Sequence, residues 1–179
     1  SAVRWIMDAV FPESAPLVLT AGHSTRTLEE FLSLLLAHEV SRVVDVRTVP
    51  RSRRNPQFNR EALPGSLAAA GIGYSHLPEL GGLRKPRPDS PNGGWRNDSF
   101  RGYADYMLTP AFAAGLERLL ELAKEGRVSL MCAEAVPWRC HRSLLSDSLA
   151  IRGGRVDHSL GRGPRRPHVL SPMARLEEG

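Results

Sequence analysis

Five short runs of apolar and β-branched residues alternate with longer segments of helical periodicity, and this alternation constrains the fold more than any other feature of the chain. The five runs cover residues 17–21, 42–47, 73–77, 127–131 and 155–160. Strands separated by helices form a mostly parallel sheet through right-handed crossovers, with helices on both of its faces. The sequence therefore predicts a three-layer α/β domain with about five mostly parallel strands.

The segments between these runs have the residue types that begin and end helices. Predicted helices cover residues 28–40, 61–70, 100–108, 110–125 and 140–151. Thr25 or Thr27 is a candidate N-cap of the first helix, because a threonine hydroxyl can accept from the first free backbone N–H groups. At 179 residues, 41% of them hydrophobic, the chain is expected to form one domain. We place an N-terminal extension at 1–16, the domain at 17–170 with a long Gly- and Pro-rich loop at 78–99, and a C-terminal tail at 171–179.

Polar residues follow three of the predicted strands at the point where each strand ends. His23 follows the first strand, Asp45 and Arg47 end the second, and the segment 132–142 follows the fourth. In a doubly wound sheet the first and fourth strands are neighbours, and ligands bind outside the carboxyl ends of the strands where the winding reverses. The three groups are therefore predicted to line one crevice.

Both cysteines of the chain lie in the segment 132–142. We place Cys140 in the first turn of a helix beside His141 and Arg142, where the helix N-terminus and cationic neighbours lower the pKa of a thiol. Cys140 is therefore the first candidate for a catalytic thiolate, and Cys132, at the end of a buried strand, is the second. The alternative is that both are small apolar residues of the core.

Glu134 and His23 are the candidates for proton transfer in the same crevice. The alternatives are a solvated loop carboxylate and a hydrogen-bonded structural histidine. Guanidinium, hydroxyl and aromatic groups suit an anionic or phosphate-bearing substrate. The candidate substrate-binding residues of these types, with their charged neighbours, are Ser24, Asp45, Arg47, Arg139, His141, Arg142, Trp95 and Tyr103. For the Asp45–Arg47 pair, a buried structural ion pair is the favoured interpretation.

A net charge of +5 favours phosphate-bearing partners, either an anionic small molecule or a nucleic acid. The loop after the second strand has a basic run with an aromatic residue in it, which suits contact with phosphates and bases. Its members are Arg51, Arg53, Arg54, Phe58 and Arg60. The alternative is an ordinary solvated face. No apolar run is long enough to cross a membrane and the N-terminus lacks a signal-peptide pattern, so a cytoplasmic location is predicted.

Two further interpretations of the cysteines remain open. Cys132 and Cys140 could pair reversibly as a redox sensor if the loop between them folds back. Zinc is a second possibility, because Cys132, Cys140, His141 and His23 are zinc-type ligands, but their spacing contains no C-x-x-C pair. We therefore predict no cofactor and no metal, with zinc as the alternative.

Six short motifs in fixed order resemble the bacterial and archaeal family of the domain of unknown function 488 (DUF488). They are Gly22-His23-Ser24, Asp45-Val46-Arg47 with Pro50 and Ser52, Leu80-Gly81-Gly82, Phe100-Arg101-Gly102-Tyr103, Cys132-Ala133-Glu134 and Cys140-His141-Arg142. His158 and His168 are similar to C-terminal histidines of this family. The resemblance extends over about residues 17–168. It implies a Rossmann-like α/β domain and a possible enzyme site in the cysteine segment.

The sequence thus leads to one main functional hypothesis and two alternatives. The main hypothesis is an enzyme with a cysteine-containing crevice that acts on an anionic or phosphate-bearing substrate. A non-catalytic nucleic-acid-binding protein that uses its arginine-rich loop is the first alternative, and a dithiol redox sensor is the second. Neither the reaction class nor the oligomeric state follows from the sequence.

Overall fold

The computed structural model of the protein describes residues 16–95 and 97–171, and in this part of the chain five helices pack on a six-stranded sheet. The strands are β1 (Leu17–Gly22), β2 (Arg42–Asp45), β3 (Gly73–His76), β4 (Val128–Cys132), β5 (Arg155–His158) and β6 (Arg166–Pro167). The helices are α1 (Leu28–Ala37), α2 (Leu63–Ala69), α3 (Asp98–Tyr106), α4 (Pro110–Glu125) and α5 (Arg142–Ile151). The predicted extension at 1–16 and tail at 171–179 lie outside the described residues, apart from Pro16 and Ser171.

The strands lie in the order β3-β2-β4-β1-β5-β6. All neighbouring pairs from β3 to β5 are parallel, whereas β6 is antiparallel to β5. The predicted α/β class is confirmed, and the sixth strand is one more than expected. The predicted adjacency of the first and fourth strands is also confirmed, with Gly22 opposite Cys132.

Alternate residues of the strands build two separate cores, one on each face of the sheet. Leu19 and Ala21 of β1 belong to the core that contains Phe31 of α1 and Leu63 of α2. Val18 belongs to the other core, which is formed with α3, α4 and α5. This division follows because successive strand side chains point to opposite faces. Cys132 lies on the side of α3, α4 and α5.

Four of the five predicted helices differ from the observed bounds by one to three residues, and for two of them the structure shows a local cause. Helix α1 begins after Thr27, whose capping box with Glu30 confirms one of the two candidate caps. It ends at Ala37 and not near residue 40, because Glu39 adopts a left-handed conformation with φ 58°. Helix α5 begins after Cys140, which has an extended backbone (φ −141°, ψ 171°) following one turn of 3-10 helix.

The long loop predicted at 78–99 contains one turn of 3-10 helix at Pro78–Leu80, and its other described residues before α3 are irregular. One buried carboxylate of α3, that of Asp105, holds it in place. Asp105 accepts hydrogen bonds from the backbone N–H of Arg87 (2.7 Å), Ser90 Oγ (2.6 Å) and Asn92 Nδ2 (2.7 Å). The loop is therefore packed against the domain in this structure.

Gly22 is needed at the end of β1 because the loop after β4 passes directly over it. A Cβ at this position would overlap the backbone carbonyl of Glu134. We expect Gly22→Ala to lower the free energy of unfolding in urea by about 1–3 kcal/mol, the usual cost of overpacking. Gly65→Ala is the control, because nothing lies within 4 Å of its Cβ and alanine favours a helix by about 0.5–1 kcal/mol. Equal stability changes in the two variants would contradict this account.

Candidate active site

The carboxyl ends of β1 and β4 continue side by side beyond the sheet. The backbone N–H of His23 donates to Cys132 O at 3.0 Å, and that of Ser24 donates to Ala133 O at 3.0 Å. These bonds fix the path of the chain on leaving both strands. The segment after β4 therefore lies against the end of β1, as the doubly wound order predicts.

The sulfur atoms of Cys132 and Cys140 lie 3.2 Å apart, within hydrogen-bonding distance for a thiol pair. Cys132 is buried, with 2% exposed, whereas Cys140 is partly exposed. The backbone N–H of Arg142, at the start of α5, donates to Cys140 Sγ at 3.4 Å. Cys132 Sγ lies 3.6 Å from the carbonyl oxygen of Glu134, which accepts its S–H when Cys132 is protonated. The Arg142 N–H thus suits an ionised Cys140, whereas the Glu134 carbonyl suits a protonated Cys132.

The close contact of the two sulfurs separates their acidities. The hydrogen bond from the Cys140 thiol, assisted by the Arg142 guanidinium, lowers the pKa of Cys132 to about 7. The same hydrogen bond, burial and the negative charge on Cys132 raise the pKa of Cys140 far above its ordinary value. Above pH 7 the pair therefore shares one proton and carries one negative charge.

Arg142 is buried, with 1% exposed, and only part of its guanidinium has a partner. Its NH2 donates to Ala135 O at 3.2 Å, whereas Nε and NH1 have no hydrogen-bond acceptor in the described part of the chain. A buried cation is costly without a compensating negative charge. The guanidinium favours the thiolate at both Cys132 and Cys140, so their shared negative charge supplies this compensation.

Four residues of the same segment are exposed to solvent. They are Ala133, Glu134, Trp138, which is 53% exposed, and Arg139. Glu134 is the candidate for proton transfer and Arg139 a candidate for substrate binding, and both side chains are accessible from solvent.

His23 lies inside the domain, with 2% exposed. Its ring stacks on Phe58 at a centroid distance of 4.5 Å, and Nδ1 lies 2.8 Å from Ser24 O. Burial lowers the pKa of His23, so its ring is held neutral near neutral pH. These contacts agree with the structural alternative for His23. Ser24, the next residue in the chain, is partly exposed.

Asp45 and Arg47 form a buried, two-pronged ion pair, with contacts of 2.9 and 2.7 Å. Arg47 NH2 also donates to Phe58 O, and Tyr74 donates its hydroxyl to Asp45 Oδ2 at 2.6 Å. Burial, followed by its hydrogen bond to the Asp45 carboxylate, raises the pKa of Tyr74. Both members of the pair are thus used inside the protein, in agreement with the favoured structural interpretation.

Two aromatic candidates require correction because the structure places their rings in the core. Tyr103, expected to bind substrate, is 1% exposed and donates its hydroxyl to Leu80 O at 2.9 Å. Phe58, expected to stack on a base, is 0% exposed and packs on His23 and Phe31. Neither ring has a free face for a ligand.

His141 is likewise committed to internal contacts. Its Nε2 lies 2.8 Å from Val46 O, and its ring packs beside Tyr103 at a centroid distance of 5.1 Å. Burial lowers the pKa of His141 to about 4. His141 therefore supports the segment that carries Cys140.

The arginine-rich loop is on the surface. Arg51, Arg53, Arg54 and Arg60 are exposed. Arg51 is 3.7 Å from Glu61, but both side chains are about 70% exposed, so this ion pair contributes little to stability. The arginines are thus accessible to an anionic partner.

Sequence reasoning missed a chain of hydrogen bonds that connects β1, β5 and α5. Thr20 Oγ1 is 2.6 Å from His158 Nδ1, His158 Nε2 is 2.8 Å from His168 Nδ1, and His168 Nε2 is 2.7 Å from Asp147 Oδ1. The family resemblance includes His158 and His168 but assigns them no role, and Asp147 belongs to none of the six motifs. An acidic residue among the buried leucines of α5 was the available indication.

The buried histidines make stability depend on pH. Burial lowers the pKa of His158 to about 3 and that of His141 to about 4, from 6.5 in an unfolded chain. The unfolded chain therefore binds more protons than the folded one below pH 6.5, and stability is lost as the pH falls. We expect the free energy of unfolding in urea to decrease from pH 7 to pH 5, and to decrease less in a His158→Asn variant. A free energy that increases over this interval would be contrary to expectation.

The residues of the zinc alternative do not form one cluster. Among the described residues, no group of three or more histidine, cysteine, aspartate or glutamate side chains is arranged to hold a metal ion. His23 contacts the backbone carbonyl of Ser24, whereas His141 contacts that of Val46.

A family model described as "Domain of unknown function DUF488" matches residues 27–149. No curated protein and no solved structure matches the chain. Among the helices of the described residues, none has the length and apolar character needed to span a membrane. The family match covers β4, the sulfur pair and most of α5.

Proposed function

The chain belongs to the DUF488 family, and we propose that it is a thiol–disulfide oxidoreductase whose redox pair is Cys132 and Cys140. The observation that carries this proposal is the 3.2 Å separation of the two sulfurs. A disulfide has a sulfur–sulfur distance of about 2.05 Å, so a displacement of roughly 1 Å is enough to form one. The co-reactant is a low-molecular-weight, anionic disulfide.

Cys140 is the entering nucleophile because it is the more exposed of the two cysteines. As its sulfur attacks one sulfur of the substrate disulfide, its proton passes along the hydrogen bond to the thiolate of Cys132. The substrate bond breaks, a mixed disulfide forms on Cys140, and one thiolate leaves. The Glu134 carbonyl then accepts the S–H of Cys132.

Cys132 resolves the mixed disulfide. Its thiol gives its proton to the departed thiolate, and its sulfur attacks Cys140 Sγ. The second half of the substrate leaves as a thiolate. Two electrons pass from the cysteine pair to the substrate, and the products are one protein disulfide, one thiol and one thiolate.

Arg142 and Arg139 give this chemistry its preference for an anion. The buried Arg142 guanidinium stabilises the negative charge that the sulfur pair carries at rest. Arg139, which precedes Cys140 in the chain, is exposed and can contact a carboxylate of the substrate. Oxidised glutathione, which carries several carboxylates, is therefore a suitable probe.

Catalysed reduction of oxidised glutathione by dithiothreitol tests this function directly. We expect the reaction rate to increase in proportion to the concentration of the protein. A double variant, Cys132→Ser with Cys140→Ser, should give the rate measured without protein. Equal rates for the natural chain and the double variant would refute the proposal.

The exposed arginine loop supports a second candidate function, contact with single-stranded nucleic acid. Its guanidiniums are accessible, but the burial of Phe58 leaves phosphate contact as the main interaction. We expect Arg53→Glu with Arg54→Glu to weaken binding to single-stranded RNA and to lower the slope of log K against log salt by about 1–2. Filter binding at several salt concentrations measures both quantities. Unchanged binding in this variant would exclude the loop as the contact surface.

A further inference from the structure

A cavity of about 430 Å³ has walls that include residues on both sides of Cys140 in the chain, and we call it the aromatic pocket. Its walls come from three parts of the chain: Trp95 and Phe100 around the start of α3, Pro137, Trp138 and Ser143 around Cys140, and His158 with residues 166–169 and 171 on the C-terminal side. A volume of this size is in the range of small-ligand sites, about 300–1,000 Å³.

The C-terminal wall of the aromatic pocket is firmly attached to α5. His168 Nε2 and the backbone N–H of Ser171 both contact Asp147 Oδ1, at 2.7 and 3.0 Å. His158 Nε2 contacts His168 Nδ1, and His158 Nδ1 contacts Thr20 Oγ1. Because all four ring nitrogens are engaged, these histidines offer a ligand their ring surfaces and not their hydrogen-bonding groups.

The aromatic side chains give the pocket a preference for a flat ring. Trp95 and Phe100 pack edge to face, with centroids 5.9 Å apart and an interplanar angle of 85°. Trp138 is 53% exposed, which leaves part of its ring surface open. Flat ligands, nucleic-acid bases among them, stack favourably on such rings.

The charge of the lining favours an anion. Among the residues that the structure describes, no carboxylate side chain lines the aromatic pocket, whereas the exposed Arg166 does. The Arg166 guanidinium lies 5.6 Å from the centroid of the Trp138 ring. A ligand whose ring contacts Trp138 thus has a guanidinium within reach of an attached negative group.

We propose that the aromatic pocket binds the aromatic ring and the phosphate of a mononucleotide group. The lining contains few free polar atoms that read base edges, so the type of base matters little. Trp138 and Ser143 flank Cys140 in the chain, and Ser143 Oγ donates to Cys140 O at 3.1 Å. If the thiol function proposed above is correct, the substrate is a disulfide of a thiol compound that carries a nucleotide.

Calorimetric titration tests the pocket independently of the thiol chemistry when it is done on the double variant Cys132→Ser with Cys140→Ser. Adenosine monophosphate is the probe, adenosine presents the ring alone, and ribose 5-phosphate presents the phosphate alone. We expect adenosine monophosphate to bind at least about tenfold more tightly than either fragment, because ring and phosphate are bound together.

Two exposed residues allow the pocket to be altered without disturbing the core. Added to the double variant, Trp138→Ala and Arg166→Gln should each weaken binding of adenosine monophosphate about tenfold. Arg152→Gln is the control, because Arg152 is also exposed but does not line the pocket. Absence of binding, or binding that Trp138→Ala and Arg166→Gln leave unchanged, would overturn the proposal. Failure of glutathione turnover in the natural chain would leave this result unaffected and refute only the redox function.

Discussion

Glutathione is expected to remain attached to Cys140 when the Cys132→Ser variant is treated with oxidised glutathione. Cys140 can still attack the disulfide because it is the more exposed cysteine. The resolving sulfur, which lies 3.2 Å away in the natural chain, is replaced by a hydroxyl that cannot displace the bound thiol. Intact-mass measurement should show one glutathione on nearly every molecule.

The Cys140→Ser variant should behave differently, because its remaining sulfur is 2% exposed. We expect little or no glutathione on Cys132 over the same period. Both variants keep the length and charge of the chain, so they serve as controls for each other. Equal labelling of the two variants would show that Cys140 is not the entering nucleophile.

Replacing Arg142 should have the second-largest effect, on the rate of thiol alkylation near neutral pH. In Arg142→Met the sulfur pair loses the buried guanidinium that stabilises its negative charge. The hydrogen bond from Cys140, the largest cause of the lowered pKa of Cys132, remains in this variant, so only the contribution of the guanidinium is lost. A rise of roughly 0.5–1 in the pKa of the sulfur pair lowers its ionised fraction at pH 7 about two- to fivefold. We therefore expect iodoacetamide to react about two- to fivefold more slowly at pH 7 and the midpoint of the rate-against-pH curve to rise.

Two control variants separate charge from packing in this experiment. Arg142→Lys keeps a positive charge and should retain most of the reactivity at pH 7, whereas a packing defect would slow both substitutions. Arg139→Met removes a charge from the exposed part of the same segment and should have little effect. Urea denaturation of each variant establishes that it is folded. An unchanged midpoint in folded Arg142→Met would mean that the guanidinium does not stabilise the thiolate.

Sequence periodicity predicted the layers of the fold well because strands and helices bury their apolar residues with different repeats. Helix α4 was predicted with its observed boundaries, Pro110–Glu125. The boundary error with the largest consequence is the start of α5. Cys140 was expected in the first turn of this helix but precedes it, because the chain first makes a turn of 3-10 helix. Such turns depend on tertiary contacts and leave little trace in the pattern of apolar residues.

The site was only partly predictable because it also depends on tertiary contacts. The doubly wound order brought His23, Asp45 and the cysteine segment to one edge of the sheet. Whether a side chain faces the crevice or the core depends on packing, which placed Tyr103 and Phe58 inside. The contact between the two sulfurs depends on how the loop folds back, and an eight-residue separation permits this fold without requiring it. The sequence therefore placed both cysteines in one segment and left their pairing as one of several alternatives.

The most direct test of the central claim is the intact mass of the natural chain after reduction, brief exposure to oxidised glutathione and trapping of free thiols with N-ethylmaleimide. We predict a protein about 2 Da lighter than the reduced form, carrying neither glutathione nor maleimide, because the Cys132–Cys140 disulfide has formed. A protein that retains two maleimide-reactive thiols, or a stable glutathione adduct, would contradict the assignment of these cysteines as a redox pair.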